Sequence, residues 1–270
     1  MKKNYKYFGL FILMIFSFYF TNRVYELAVD TDLLMKEIEN NEEKYNKEPK
    51  NASINKDNIK PGSCGYKVDK KKSYKKMKEI GMYNENYFLF KNILPLENLS
   101  NNKNKYIIGD NIEKNNVYLF LNIDEDNYLY LNESYKNYNI VITYSFFKEH
   151  KDILEKIIEN NTILIKETNH QNLKEINKYY NKYKDTNITC VNSNNKTFLN
   201  LCSLNNSLTI SLNNEINNNY LLNIKKEITS GKFININFTK SFNNIKDIID
   251  NQIENKGLHK GLIDKDIREC

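Results

Sequence analysis

The sequence has no tryptophan, and its 270 residues include only three prolines, three histidines and eight glycines. So few glycines and prolines exclude collagen-like and Gly/Pro-rich low-complexity chains. The four cysteines, Cys64, Cys190, Cys202 and Cys270, contain no CxxC pair, so they outline no structural zinc site. Outside the cytoplasm Cys190 and Cys202 are placed to bridge across a turn-like SNN; four free thiols is the equally open alternative. No G-x-S-x-G elbow supports Ser-His-Asp catalysis, and no histidine is placed to activate a cysteine. Forty basic and 34 acidic residues are mixed along the chain. The net charge of +6 therefore forms no stripe of the kind a nucleic-acid binder presents.

What is present is enough apolar material for a core, 40% of the residues with 20 Tyr and 14 Phe, and an abundance of asparagine, 48 residues. This excludes a wholly disordered chain and a polytopic membrane protein. One long uncharged run exists, Tyr7 to Phe20 (YFGLFILMIFSFYF), preceded by Lys2, Lys3 and Lys6. A basic segment before an apolar one has the plan of a secretory signal. No small-x-small cleavage site follows, which predicts an uncleaved signal-anchor over residues 1–25. The positive-inside rule then places the remainder outside the membrane, as a single-pass protein.

Residues 26–114 read as an extracytoplasmic linker and extension. Thr31 to Tyr45 patterns as an amphipathic helix, Asn46 to Pro61 as a polar linker, and Pro61-Gly-Ser-Cys-Gly65 as a turn. Ser73 to Ile80 reads as a short helix closed by Gly81. The lysines around it suit a solvated face, or else a membrane-surface or anionic-polymer patch. Tyr87 to Pro95 and Tyr106 to Gly109 look like strands.

From residue 115 to 270, strand-like and helix-like runs alternate. Val117–Ile123 predicts a strand, followed by a helical stretch to Tyr138. Strands are expected at Ile140–Phe146, Thr162–Lys166, Asn187–Val191, Leu208–Leu212 and Phe233–Phe238. Helices are expected at His150–Asn160, Gln171–Tyr183, Tyr220–Thr229 and Asn243–Asn255. That alternation predicts an α/β fold with parallel strands, as a small, incomplete barrel or, second, an open doubly wound sheet.

Either architecture places a site at the C-terminal strand ends. These carry Asp124, Glu125 and Asp126; Glu167 to His170; Asn192; Asn213; and Asn237. Asp124, Glu167 and His170 are the candidate metal ligands, since a carboxylate from one strand end and a carboxylate-x-x-His from another can hold a divalent ion with a position open for water. Asp124-Glu125-Asp126 also reads as an acidic N-cap, and His170 as an exposed loop residue. His150 is expected at the surface, and His259 in a polar tail.

With its elements in this order, the region from Asn115 onward resembles the polysaccharide deacetylase family (NodB-homology domain), as a membrane-anchored, divergent member. The resemblance implies a small, distorted β/α barrel. It also implies metal-dependent hydrolysis of acetyl groups on cell-wall glycans, a carbon–nitrogen rather than peptide bond, with a divalent ion such as zinc held by an Asp and two His. The family's TFDDG motif falls on Phe120-Leu-Asn-Ile-Asp124, which puts Asn122 and Ile123 at the base and metal-binding Asp. A slip of one or two residues offers Asp124 or Glu125 as the catalytic carboxylate. HSxxH falls on Glu167-Thr-Asn-His170, where Glu167 stands at the first His and His170 meets the second with a one-residue gap. RxPY has no counterpart in Cys190-Val-Asn-Ser193, and the last catalytic His falls on Asn237, an amide that cannot act as a general acid. The expectation is therefore a family fold whose reaction is impaired or lost. The alternative is a tethered pseudoenzyme that binds a cell-wall or surface glycan, or a protein, in a groove lined by Asn and Tyr, including Asn192, Asn213 and Asn237.

Overall fold

The computed structural model describes residues 4–132, 134–192, 195–212 and 215–267. The chain divides into two compact units, Met1–Pro49 with Gly65–Ile93, and Lys50–Cys64 with Leu94–Cys270. In chain order, α1 (Asn4–Thr31) and α2 (Leu33–Asn41) belong to the first unit, the hairpin β1 (Ser53–Asn55) and β2 (Asn58–Lys60) to the second, and β3 (Gly65–Val68), α3 (Lys70–Ile80) and β4 (Phe90–Ile93) to the first again. The second unit continues with β5 (Tyr106–Ile107), β6 (Asn116–Asn122), β7 (Asn139–Ile142), α4 (Tyr144–Glu149), α5 (Lys151–Ile157), β8 (Thr162–Ile165), α6 (His170–Tyr180) and β9 (Thr189–Val191). It ends with α7 (Lys196–Leu204), β10 (Thr209–Ile210), α8 (Tyr220–Glu227), β11 (Phe233–Asn237), α9 (Lys240–Asn243), α10 (Lys246–Asn255), β12 (His259–Lys260) and α11 (Ile263–Asp266).

In the first unit, the stretch Tyr7–Thr31 of α1 has mean hydropathy 1.3 and is exposed over its apolar part, Val29 near its end being buried. The helix is long and apolar enough to cross a membrane, as are many signal sequences. Asp32 ends it and caps α2, its Oδ1 accepting from Leu34 N at 3.0 Å. Oδ2 accepts from Lys78 Nζ at 2.6 Å and Tyr74 Oη at 2.8 Å. Led by the Lys78 ammonium, these donors hold the Asp32 carboxyl down at about 2. Met35 and Ile38 on α2 and Tyr74 and Met77 on α3 have helical i, i+3 spacing, and they join Val29, Val68 and Phe88 in one small core. The lysines of α3 lie on its other face, where Lys70 pairs with Glu39 at 3.1 Å and Lys71 with Glu26 at 3.1 Å.

The second unit is a curled sheet in the order β1-β2-β5-β10-β9-β8-β7-β6-β11, with β12 added beside β6. Pairing from β2 through β11 is parallel. Along β6, Val117, Leu119 and Leu121 face one core, while Tyr118 and Phe120 face the other. A strand buried on both faces reads as a continuous apolar run, which is why VYLFLNI was legible as a strand. On the inner side Phe233 packs edge-on against Tyr118 and Phe120, with centroids at 5.4 and 5.2 Å. Gly261 lets the chain pass this layer: a Cβ there would lie 2.4 Å from the Tyr118 ring. The sheet is thus a half-barrel within a mixed α/β architecture.

Several local expectations are corrected. The polar stretch 46–61 is not a featureless linker, because the β1–β2 hairpin within it extends the sheet. The segment after β6 is no helix beyond a 3₁₀ turn at Tyr128–Tyr130. Its Asn and Asp side chains bond nearby backbone N–H groups instead, such as Asp124 to Asp126 and Asn132 to Ser134. β7 stops at Ile142 because Thr143 caps α4, its hydroxyl accepting from Phe146 N at 3.2 Å. His259 lies not in a loose tail but in β12, paired with Asn116 of β6. Cys190 and Cys202 are joined, tying β9 to α7, and Cys64 is also disulfide-bonded.

Candidate functional site

The C-terminal ends of the parallel strands carry the residues the sequence singles out. Asn122 ends β6 and is buried; its Nδ2 donates to Asn235 Oδ1 at 2.7 Å and to the Ile236 carbonyl at 3.1 Å. Both amide hydrogens are thereby committed to β11. Ile123 is fully buried in the apolar core. Asn127 closes the following turn, with Nδ2 donating to the Asn122 carbonyl at 3.1 Å and Oδ1 accepting from Asp124 N at 3.0 Å. Asp124 Oδ1 accepts from Asp126 N at 3.1 Å, so this carboxylate organises its own turn.

The other candidates have separate partners. Glu167 accepts from the Asn195 side chain, whereas His170, the first residue of α6, contacts Asn205 Nδ2 through Nδ1 at 3.2 Å. Asn192 is engaged within its own turn, donating to the Asn195 carbonyl at 2.8 Å and accepting from Asn195 N at 3.2 Å. Asn237 is opposite Asn122 in the β6–β11 register, and its backbone N–H donates to Ile216 O at 2.9 Å. Asn213 lies outside the described residues. Glu125 reaches away from the strand ends to His150 Nε2 at 2.6 Å.

The ion that the resemblance implies calls for an Asp and two histidines. In the register of that resemblance the ligand positions fall on a buried isoleucine, a glutamate held by an asparagine and a histidine held by another asparagine. This donor set does not fit that ion. Among the described residues one trio brings three ligand atoms within 4.8 Å of one another, and it is Glu125, Glu149 and His150; Asp124, Glu167 and His170 form no such trio.

Sequence reasoning missed the groove beside these residues. Its volume is about 770 Å³, and it opens between the end of β10 at Ser211 and the β11 residues Phe233 to Asn235. Asn217, Asn218, Asn223 and Asn235 supply amides, Lys226 and Lys232 supply ammonium groups, and no tyrosine lines it. Burial raises the carboxyl pKa of Glu215 in its wall; Lys166 opposes the shift and Asp124 adds to it. Within the run NNEINNN, Asn217 and Asn218 held the signal for this wall, since they lie outside helix and strand and line the groove. The cavity offers donors and acceptors for hydroxyl and amide groups.

A family model, "Putative peptidoglycan binding domain", matches residues 15–79. No curated protein sequence matches the chain. Among solved structures, a CE4 family pseudoenzyme from Bacillus anthracis is 18% identical, with 88% of this chain and 96% of that one covered and a TM-score of 0.61. A mutant of a CE4 family pseudoenzyme with restored enzymatic activity is 19% identical, with 88% and 99% covered and a TM-score of 0.58. CE4 is the polysaccharide deacetylase type, and at these identities the likeness shows that this chain shares its fold.

Proposed function

We propose that this chain is a deacetylase-like protein of the cell wall, tethered by residues 1–25, that holds glycan and no longer hydrolyses its acetyl groups. The observation that carries the reading is Asn122. An amide occupies the position of the family's catalytic carboxylate, and both of its hydrogens are spent on β11. It can neither take a proton from water nor bind a cation through a charged oxygen. Asn237 at the position of the catalytic His removes the acid as well. The pseudoenzyme status of the similar CE4 structures is in keeping with this, as is the match of residues 15–79 to a peptidoglycan-binding model.

The amide-lined groove is the proposed glycan site. Asparagine amides suit the hydroxyl and acetamido groups of an N-acetylated sugar, and Lys226 and Lys232 suit carboxylate-bearing ones. The test pairs two measurements on the full chain. Cosedimentation with insoluble peptidoglycan should occur and should weaken when Asn235 and Lys232 are replaced by Ala. Acetate release from peptidoglycan or from chitin oligomers should stay at the level of buffer. Release above that level, with or without added zinc, would restore the hydrolase reading in which Asp124 or Glu125, Glu167 and His170 act.

A further inference from the structure

We infer that Glu125, Glu149 and His150 form a binding site for one divalent transition-metal ion of the zinc type, a different set from Asp124, Glu167 and His170. The inference does not rest on the glycan-binding proposal.

His150 sits between α4 and α5 at φ −125°, ψ 41°, where it caps neither helix with its side chain. Its ring is instead held by packing, with Tyr128 and Phe146 centroids at 4.5 and 4.6 Å, and only 17% of the side chain is exposed. Packing on the ring leaves the nitrogens at its edge as the polar outlet, and Nε2 points to Glu125 Oε2 at 2.6 Å. Glu125 comes from the turn after β6, and Glu149 from the end of α4.

Charge balance supplies the second argument. Two carboxylates converge on one imidazole, and no described lysine or arginine forms an ion pair with either. The two carboxylates bring two negative charges to the site, which a divalent cation neutralises. The ligand atoms lie within 4.8 Å of one another, and tetrahedral zinc with imidazole and carboxylate ligands wants separations of about 3.3 Å. With the histidine fixed, Glu125 would exchange its 2.6 Å hydrogen bond to Nε2 for the ion and move slightly outward, and rotation of Glu149 would bring the third ligand to that spacing. One His and two carboxylates also match the donor preference of zinc rather than of magnesium or calcium. Three protein ligands leave a position for water. The ion would clip the turn after β6 to the α4–α5 junction.

The experiment is calorimetric titration of the full chain in detergent micelles with zinc chloride, with magnesium chloride as the comparison. The expected result is one zinc per chain and no comparable magnesium binding. His150→Ala and Glu149→Gln should each weaken zinc about a hundredfold or more, while His170→Ala leaves it unchanged. Glu149→Gln keeps the test decisive if the histidine variant fails to fold, because Glu149 is exposed. Absence of saturable binding by the folded wild type overturns the inference. So does binding that survives Glu149→Gln, or binding that is lost only in His170→Ala.

Discussion

The two ends of the parallel strands in the second unit make opposite use of polar chemistry. At the N-terminal ends, buried charges are matched at short range. Asp250 accepts from Tyr138 Oη at 2.7 Å and Lys260 Nζ at 2.8 Å, with Lys246 at 3.5 Å. Lys260 also lies 4.1 Å from the centre of the Tyr138 ring. Asp264 takes Tyr180 Oη at 3.2 Å and Lys184 at 3.3 Å, and it accepts from Thr162. Burial pushes the Tyr138 phenol well above its ordinary value and the Lys260 ammonium below its own, the latter shift being opposed by Asp250. At the C-terminal ends the polar groups are mostly asparagines bonded to one another. In β/α barrels the first end serves stability and the second chemistry. Here the paired charges lie at the first end and the bonded amides at the second.

Removing Asp250 should test that contrast most severely. Asp250→Ala leaves the largely buried Lys260 ammonium and the Tyr138 phenol without their acceptor, while Lys246 keeps Asp247 at 2.8 Å, and should cost about 3–5 kcal/mol in denaturant unfolding. Asp124→Ala, at the opposite end, should cost well under about 1 kcal/mol by the same measurement. Next in size is the Cys190–Cys202 link, which closes a short loop of sequence separation 12. Replacing both cysteines with Ser should cost about 2–3 kcal/mol. Asn122→Asp would place a carboxylate at the end of β6, but would set it against Asn235 Oδ1 and the Ile236 carbonyl. We expect a loss of about 2 kcal/mol and no acetate release.

The smallest effect concerns Glu215. Its raised pKa means that the folded state favours the protonated form. Stability from this group is therefore full below the ordinary glutamate value and lost as pH rises through the raised one. Glu215→Gln should slightly raise Tm at neutral pH and change nothing near pH 4. A larger gain at pH 4 than at pH 7 would reverse the assignment.

How much of this was legible in the sequence follows from element length and from the distance to partners. β6, β8 and β11 are apolar runs of four to seven residues and announce themselves. β2 and β12 are three and two residues long, become strands only by pairing with β5 and β6, and have no period of their own. The turn after β6 was misread as helix because the asparagine side chains that dismantle a helix look polar in either state. At the candidate site, Asn122 and Asn237 were identifiable as strand-end amides, since that needs only the strand pattern. That Asn122 is tied to Asn235 was not, because 113 residues separate them. His150 carried a local hint in Phe146, one helical turn earlier, while Tyr128 and Glu125 reach it only through the fold.

The order in which the chain visits its two units has a consequence for proteolytic release. It crosses between them three times, after Pro49, Cys64 and Ile93. A protease that cuts once at the last crossing leaves β1 and β2 on the same fragment as α1, yet still paired to β5 of the other fragment. A single cut at that crossing therefore leaves the sheet joined to α1 through the β2–β5 pairing.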